Sequence, residues 1–268
     1  VDKPRVMGVL NLTSDSFSDG GRFLDPQAAL AQARRLLAQG ADMLDLGAES
    51  TRPGAAPVDA AVEIERLVPL IRAIRAESDA PISVDTMKPQ SARACIAAGA
   101  SVWNDVTALQ HAPDSLQVAA ELGCEVVLMH MQGEPATMQQ APAYADVVGE
   151  VADFLAARAA AAMAAGVTRE RIWLDPGIGF GKHPTAHNLP LLANLDRIVA
   201  LGFPVLLGAS RKQFISAVAG PAPADARLGG SIAAALAGAA AGVAAVRVHD
   251  VPETLQALKV WAAIAKAR

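Results

Sequence analysis

Val6-Met7-Gly8-Val9-Leu10 runs into Asn11-Leu12-Thr13-Ser14-Asp15-Ser16-Phe17-Ser18-Asp19-Gly20-Gly21-Arg22-Phe23-Leu24-Asp25 before helical spacing begins at Pro26. This passage decides between two folds that alternate strand and helix. An open doubly wound sheet wants a short Gly-rich phosphate turn leading from the first strand directly into a helix. What stands here is a long polar loop with a Gly pair, of the composition that suits a mobile active-site loop at the mouth of a barrel. Working outward, the same unit recurs. Short apolar runs at Met43 to Leu46, Ile82 to Val84, Ser101 to Trp103, Glu125 to Met129, Arg171 to Leu174, Val205 to Leu207 and Ala244 to Val248 join Val6 to Leu10 as eight candidate strands. They read as parallel strands buried on both faces. Helical spacing follows them, as at Pro26 to Gln39, Ala60 to Glu77, Ala145 to Ala165 and Pro252 to Ala265, with Gly40, Gly99, Gly166 and Gly202 as stop signals. Eight such cycles in 268 residues give the arithmetic of a single α/β domain over residues 1–268. The expected fold is a (β/α)8 TIM barrel with long active-site loops after strands 1 and 2.

Composition narrows the function classes. With 52% apolar and 19% charged residues, the chain has enough apolar surface for a large core and is far from a disordered composition. A formal charge of −4 and no basic tract argue against nucleic acid as a partner. Cys95 and Cys124 have no ligand-like spacing, which suits a reducing compartment, and Val1-Asp2-Lys3-Pro4-Arg5 carries no leader pattern. A cytoplasmic location is therefore expected. Leu228 to Val246 is uncharged and long enough to span a bilayer, but it is mostly Ala and Gly. Its larger residues Leu228, Ile232 and Leu236 recur on one helical face, so the expectation is a soluble helix packed through that face, and no membrane partner.

In a barrel the chemistry sits at the carboxyl ends of the strands. Polar residues follow each candidate strand here: Asn11 to Gly21, Glu49 to Gly54, Asp85-Thr86, Asn104-Asp105, His130 to Gly133, Asp175 to Lys182, Gly208 to Lys212 and Arg247 to Asp250. Carboxylates and amides leaving buried strands are costly unless something satisfies them. Asp85, Asn104 and Asp175 can converge on one cleft and would suit a planar heterocycle with N–H donors and a carbonyl, such as a guanine-like or pterin ring. Each could equally cap a following helix. Arg52, Arg247 and His249 with Asn11 form a candidate anion site, in which the Asn oxygen can ligate a Mg2+ bridging diphosphate oxygens. The bland alternative for each Arg is a solvated surface charge.

Other features carry less. Gly177 to Lys182 lacks the Walker spacing and the Ser or Thr that follows it. His183 and His187 have helical ligand spacing but no third zinc ligand. Ser16 and Ser210 lie in no nucleophile elbow. Cys95 and Met163 read as core packing.

The stretches Asn11 to Gly21, Glu49-Ser50-Thr51-Arg52-Pro53-Gly54, Asp175-Pro176-Gly177-Ile178-Gly179-Phe180-Gly181-Lys182, Ser210-Arg211-Lys212 and Arg247-Val248-His249-Asp250 resemble the signature segments of the dihydropteroate synthase family, over nearly the whole chain. The resemblance implies a cytoplasmic homodimeric (β/α)8 barrel with small-molecule substrates. It would condense 6-hydroxymethyl-7,8-dihydropterin diphosphate with 4-aminobenzoate, releasing diphosphate and 7,8-dihydropteroate. It implies further that Asp85, Asn104, Asp175 and Lys212 hold the pterin, with Met129, Phe180 and Gly208 lining the slot and Arg247 over the ring. By the same resemblance Asn11 ligates Mg2+, and Arg52, Arg247 and His249 contact diphosphate. Phe17, Thr51, Pro53, Phe180 and Ser210 would shape the aminobenzoate site, with Asp19 near the reacting methylene. Asp19, Arg52, Lys212, Arg247 and His249 would thus carry the chemistry. One departure is Ser14, where the family usually has Pro. Two rivals share the pterin constellation: a methyltetrahydrofolate-using corrinoid methyltransferase, which would not need the Phe17 loop or the Arg247 and His249 pair, and a catalytically silent pterin-binding paralogue.

Overall fold

Strands that are apolar along their whole length demand cover on both faces, and the chain supplies it with helices outside and side chains inside. The computed structural model describes residues 3–12, 25–49, 57–134 and 137–267. Among these, eight strands alternate with ten helices. The strands are β1 (Arg5–Asn11), β2 (Met43–Gly47), β3 (Ile82–Asp85), β4 (Val102–Asp105), β5 (Glu125–Met129), β6 (Ile172–Asp175), β7 (Leu206–Leu207) and β8 (Ala245–Val248). The helices are α1 (Pro26–Ala38), α2 (Ala60–Arg75), α3 (Pro89–Ala97), α4 (Ser115–Leu122), α5 (Val147–Ala164), α6 (Asn188–Ala193), α7 (Leu195–Val199), α8 (Gln213–Ala219), α9 (Leu228–Ala241) and α10 (Val251–Lys266).

All strand pairs are parallel, in the order β6-β5-β4-β3-β2-β1-β8-β7. A parallel bridge between Leu174 and Val205, with Leu174 N–H donating to Pro204 O at 2.9 Å, brings β6 to β7 and closes the ring. This is the expected (β/α)8 barrel.

Local chemistry accounts for several element ends. Asp25 accepts a bond from Gln27 N and is followed by Pro26 at the first helical position, so α1 starts there. Asp146 does the same for α5 through Gly149 N. Beyond the helix ends, Gly40, Gly99, Gly166 and Gly202 take φ of +96°, +116°, +107° and +78°, a region closed to most side chains.

Side chains alternate along each strand. One register set, Met7, Met43, Val102, Val127, Trp173, Leu206 and Ala245, forms its own buried cluster inside the barrel. The intervening residues, such as Leu44, Leu46, Val126, Leu128, Leu174 and Val246, belong to the large cluster shared with the helices.

Two expectations are corrected. The face of α9 that packs inward is Ser231, Ala234, Ala235, Gly238 and Ala239; Leu228, Ile232 and Leu236 are only half-buried. Small residues let this helix approach the barrel closely: a Cβ on Gly238 would lie 2.6 Å from Leu207 Cδ2. The uncharged run is thus a helix, a left-handed Gly242 and a strand in succession. No helix among the described residues is long and apolar enough to cross a membrane. Met163 is 37% exposed and is not core packing, whereas Cys95 is fully buried as expected.

Candidate active site

The inward register explains why the polar residues meet. Asp85 and Asp175 are the last residues of β3 and β6, and Asn104 the last but one of β4, rather than just beyond the strands. Asn11, Gly47, Asp85 and Asn104 are successive register partners across β1 to β4. They lie beyond the apolar interior cluster, on the side where the strands end. Met129, the last residue of β5, pairs in register with Asp175 and is buried.

Glycines leave the space between these groups. A Cβ on Gly208 would stand 3.8 Å from Asp175 Oδ2, 3.9 Å from Lys212 Nζ and 3.9 Å from Arg247 Cδ. One on Gly47 would stand 3.4 Å from Asn11 Oδ1 and 3.8 Å from Asp85 Oδ2. Lys212 Nζ also donates to Ile178 O and lies 4.6 Å from the centre of the Phe180 ring. Asp85, Asn104, Asp175, Phe180, Gly208, Lys212 and Arg247 therefore line one slot.

Arg247 ties the two sides of the slot together. Its Nε donates to Asp45 Oδ2 at 2.6 Å and its Nη2 to Asp85 Oδ2 at 3.1 Å. Asp45 is fully buried in the middle of β2, and its Oδ1 accepts from Ser83 Oγ at 2.6 Å and Asn104 Nδ2 at 3.3 Å. The sequence reading missed Asp45. Its signal was present: a carboxylate inside an otherwise apolar parallel strand, in the same alternation as Met43, is as costly as one at the strand end.

The helix-cap alternative fails for the three polar residues. Lys88, not Asp85, precedes α3; Asn104 donates to Asp45; Asp175 Oδ1 accepts from Gly177 N at 2.7 Å in a local turn. Asp105 does behave as a turn residue, accepting from Thr107 and Leu109.

Electrostatics follow from burial. Asp85 is pushed up to about 7 by burial, with Arg247 pulling down and Asp45 pushing up. Burial also raises Asp175, against the pull of Lys212. Lys212 is pushed down to about 8 by burial, with Asp175 opposing. Arg247 resists the same burial because Asp45 and Asp85 hold its charge, and its pKa rises. The slot thus holds two cations among carboxylates that are reluctant to ionise without a partner, which is the setting for a ligand presenting N–H donors.

On the other side, Ser210 Oγ lies 3.0 Å from His249 Nδ1 and accepts from His249 N at 3.3 Å. The Ser210 hydroxyl thus holds the His249 ring and its backbone N–H together at the ends of β7 and β8. Asp250 forks with Arg211, joining the ends of β7 and β8. Arg66 of α2 reaches Ala48 O at 3.2 Å and Leu12 O at 3.5 Å, so one guanidinium holds the roots of the loops after β1 and β2. The candidates Phe17, Asp19, Thr51, Arg52 and Pro53, with the departure at Ser14, lie outside the described residues.

The weaker motifs have structural explanations. His183 Nδ1 accepts from Thr185 N and Ala186 N, and His187 Nδ1 from His183 N, so both rings serve the local turn. Lys182 is buried in backbone carbonyls.

Comparison with known proteins agrees with this geometry. Residues 7–249 match the family model described as pterin binding enzyme. Dihydropteroate synthase of Neisseria meningitidis serogroup B is 48% identical over 98% of this chain and 94% of its own length. The Xanthomonas albilineans dihydropteroate synthase solved with 4-aminobenzoic acid superposes with a TM-score of 0.92 at 48% identity, covering 98% of this chain and 94% of that one. The same enzyme in complex with 7,8-dihydropteroate gives 0.86 at 44% identity over the same shares. A slot of buried carboxylates, amide and lysine at the mouth of a (β/α)8 barrel, in a chain so similar to these enzymes throughout, places the protein in the dihydropteroate synthase family of pterin-binding enzymes.

Proposed function

We propose that this chain condenses 6-hydroxymethyl-7,8-dihydropterin diphosphate with 4-aminobenzoate to give 7,8-dihydropteroate and diphosphate, as a transferase of a pterinylmethyl group. The observation that carries the reading is the meeting of Asp175, Lys212 and Arg247 around the bare Gly208, opposite Asp85 and Asn104. In this reading Asp85, Asn104 and Asp175 take the ring's N–H donors, Lys212 donates to its acceptors, Met129, Phe180 and Gly208 flank it, and Arg247 covers it. The relative from Xanthomonas albilineans was solved with 7,8-dihydropteroate and with 4-aminobenzoic acid, and the same product and second substrate are proposed here.

Arg247 and His249, with Arg52, would receive the diphosphate. Phe17, Thr51, Pro53, Phe180 and Ser210 would form the aminobenzoate site, with Asp19 near the methylene. A divalent cation fits the donor set: Asn11 offers one amide oxygen at the end of β1, beside Gly47. Mg2+ typically takes few protein ligands and completes its shell with phosphate oxygens and water. When bound with the diphosphate, it would supply neutralising charge to the leaving anion.

The reaction asks the residues to stabilise two separating charges. The bond between the methylene carbon and the diphosphate oxygen breaks with its electron pair going to oxygen, while Arg247 and His249 hold the anion. The positive charge left on the methylene spreads into the electron-rich dihydropterin, whose N–H groups become better donors to Asp85 and Asp175. The aminobenzoate nitrogen then attacks the methylene carbon, and the proton shed by the new ammonium passes to water. No side chain needs to form a covalent bond.

We also propose a single-domain cytoplasmic homodimer. Val260 and Ile264, one turn apart on α10, and Val218 on α8 are 55%, 58% and 62% exposed, and a partner subunit would cover such side chains. The test of function is diphosphate release when the protein, Mg2+, the pterin diphosphate and 4-aminobenzoate are mixed. Release that requires all four supports the reading; none, with the pterin bound, would favour a silent pterin-binding paralogue.

A further inference from the structure

We propose that Lys182 is a positioning residue for the pterin slot, gathering the backbone carbonyls of the loops after β5 and β6 and thereby fixing the seat of Lys212 and Phe180. The inference rests on the pterin reading of that slot.

The two loops touch backbone to backbone. A Cβ on Gly177 would fall 1.9 Å from His130 O, and one on Gly181 would fall 2.2 Å from Gln132 O. Both glycines have positive φ, +66° and +60°, so no other residue type suits either place. With no side chain between the loops, the carbonyl oxygens of His130, Gly177 and Phe180 converge. Buried acceptors left without a donor are costly.

Lys182 answers that need. Its side chain is 1% exposed, and Nζ lies 2.9 Å from Gly177 O, 3.0 Å from Phe180 O, 3.3 Å from His130 O and 2.8 Å from His130 Nδ1. The His130 ring is set in turn by an edge contact with Phe154, centroids 4.9 Å apart. These Lys182 hydrogen bonds go to loop carbonyls and the His130 ring, so it acts on the slot through the loop. Ile178, between the two turns it ties, presents its carbonyl to Lys212 Nζ, and the Phe180 ring lies under the same Nζ. His130 N also donates to Asp175 O at 3.0 Å, so the tie reaches the slot carboxylate.

A double-mutant cycle separates this role from a general contribution to the fold. The binding of a bare pterin is measured by calorimetry for the wild-type chain, Lys182→Met, Lys212→Met and the double variant. Lys182→Met is expected to raise the dissociation constant about tenfold or more. In the Lys212→Met background the same change should cost less than about threefold, because the seat it fixes is then empty. His130→Phe keeps an aromatic ring beside Phe154 and removes the imidazole nitrogens, including the Nδ1 that faces Lys182 Nζ, so it runs the same cycle should Lys182→Met fail to melt cooperatively. Additive effects, or a pterin affinity unchanged by both variants, overturn the inference while leaving the slot reading intact. A wild-type chain that binds no pterin overturns both.

Discussion

Asp45→Asn tests the group that the structure adds to the site. The carboxylate is fully buried and uses both oxygens, Oδ2 for Arg247 Nε at 2.6 Å and Oδ1 for Ser83 Oγ at 2.6 Å and Asn104 Nδ2 at 3.3 Å. The amide has the same shape but only one acceptor atom. If its oxygen stays with Ser83 and Asn104, its NH2 faces the Arg247 N–H; if it flips, its NH2 faces that of Asn104. Either way a donor meets a donor. Losing one partner of a buried ion pair costs about 3 to 5 kcal/mol, and losing one charge-assisted hydrogen bond about 1.5 to 3 kcal/mol. Arg247 keeps Asp85 at 3.1 Å and has a side chain 21% exposed, which favours the lower range. The expected loss is therefore about 2 to 3 kcal/mol, or roughly 5 to 10 °C in Tm for a chain of this size. Urea unfolding with an unchanged slope measures it, and calorimetry should show bare-pterin affinity reduced about tenfold as Arg247 loses its seat. The cycle with Arg247→Met should recover part of the stability. A loss below about 0.5 kcal/mol, with pterin affinity intact, would refute the view that Asp45 holds Arg247 in place.

Asp175→Asn should weaken bare-pterin binding about tenfold to a hundredfold, through loss of a charged acceptor. Its Tm should change little, because the amide oxygen can still accept from Gly177 N; calorimetry and a melting curve check both. Asp85, pushed up to about 7, binds its proton more tightly folded than unfolded. The stability it contributes is fully present below the unfolded pKa of about 4 and is lost as pH rises through about 7. Asp85→Asn should accordingly reduce the fall in unfolding free energy between about pH 4.5 and 7.5, and an unchanged profile would count against the raised pKa. His249→Ala should lower diphosphate affinity while sparing the bare pterin, whereas Arg247→Ala should weaken both; titrating the two ligands separately decides it, and equal losses in the His249 variant contradict the division.

Much of the fold was legible because period and punctuation are local properties. The run Glu125 to Met129 was read with its ends in place, and α1 begins where Asp25-Pro26 signals it. Strand ends were harder. Ser101 to Trp103 became Val102–Asp105, because pairing with β5 carries Asn104 and Asp105 into the sheet. Helix α9 shows the same limit. Its Leu and Ile residues mark a face by hydrophobicity, yet close approach to the barrel selects Ala, Gly and Ser, which sequence scores as weakly apolar.

The site divides in the same way. Sequence by itself determined that Asp85, Asn104, Asp175, Lys212, Arg247 and His249 would lie at one end of a barrel, since a carboxylate or amide closing an apolar parallel strand is visible in the chain. Tertiary structure alone decided what each of them meets. Asp45 lies 202 positions from Arg247, and no local pattern relates them; they touch because β2 and β8 flank β1 and point both side chains into the same barrel. Lys182 and His130 are likewise joined only where two loops cross, 52 positions apart. Inward or outward is set along the strand by alternation, but which inward groups become partners is set across the sheet by register and ring closure, and those are properties of the closed barrel.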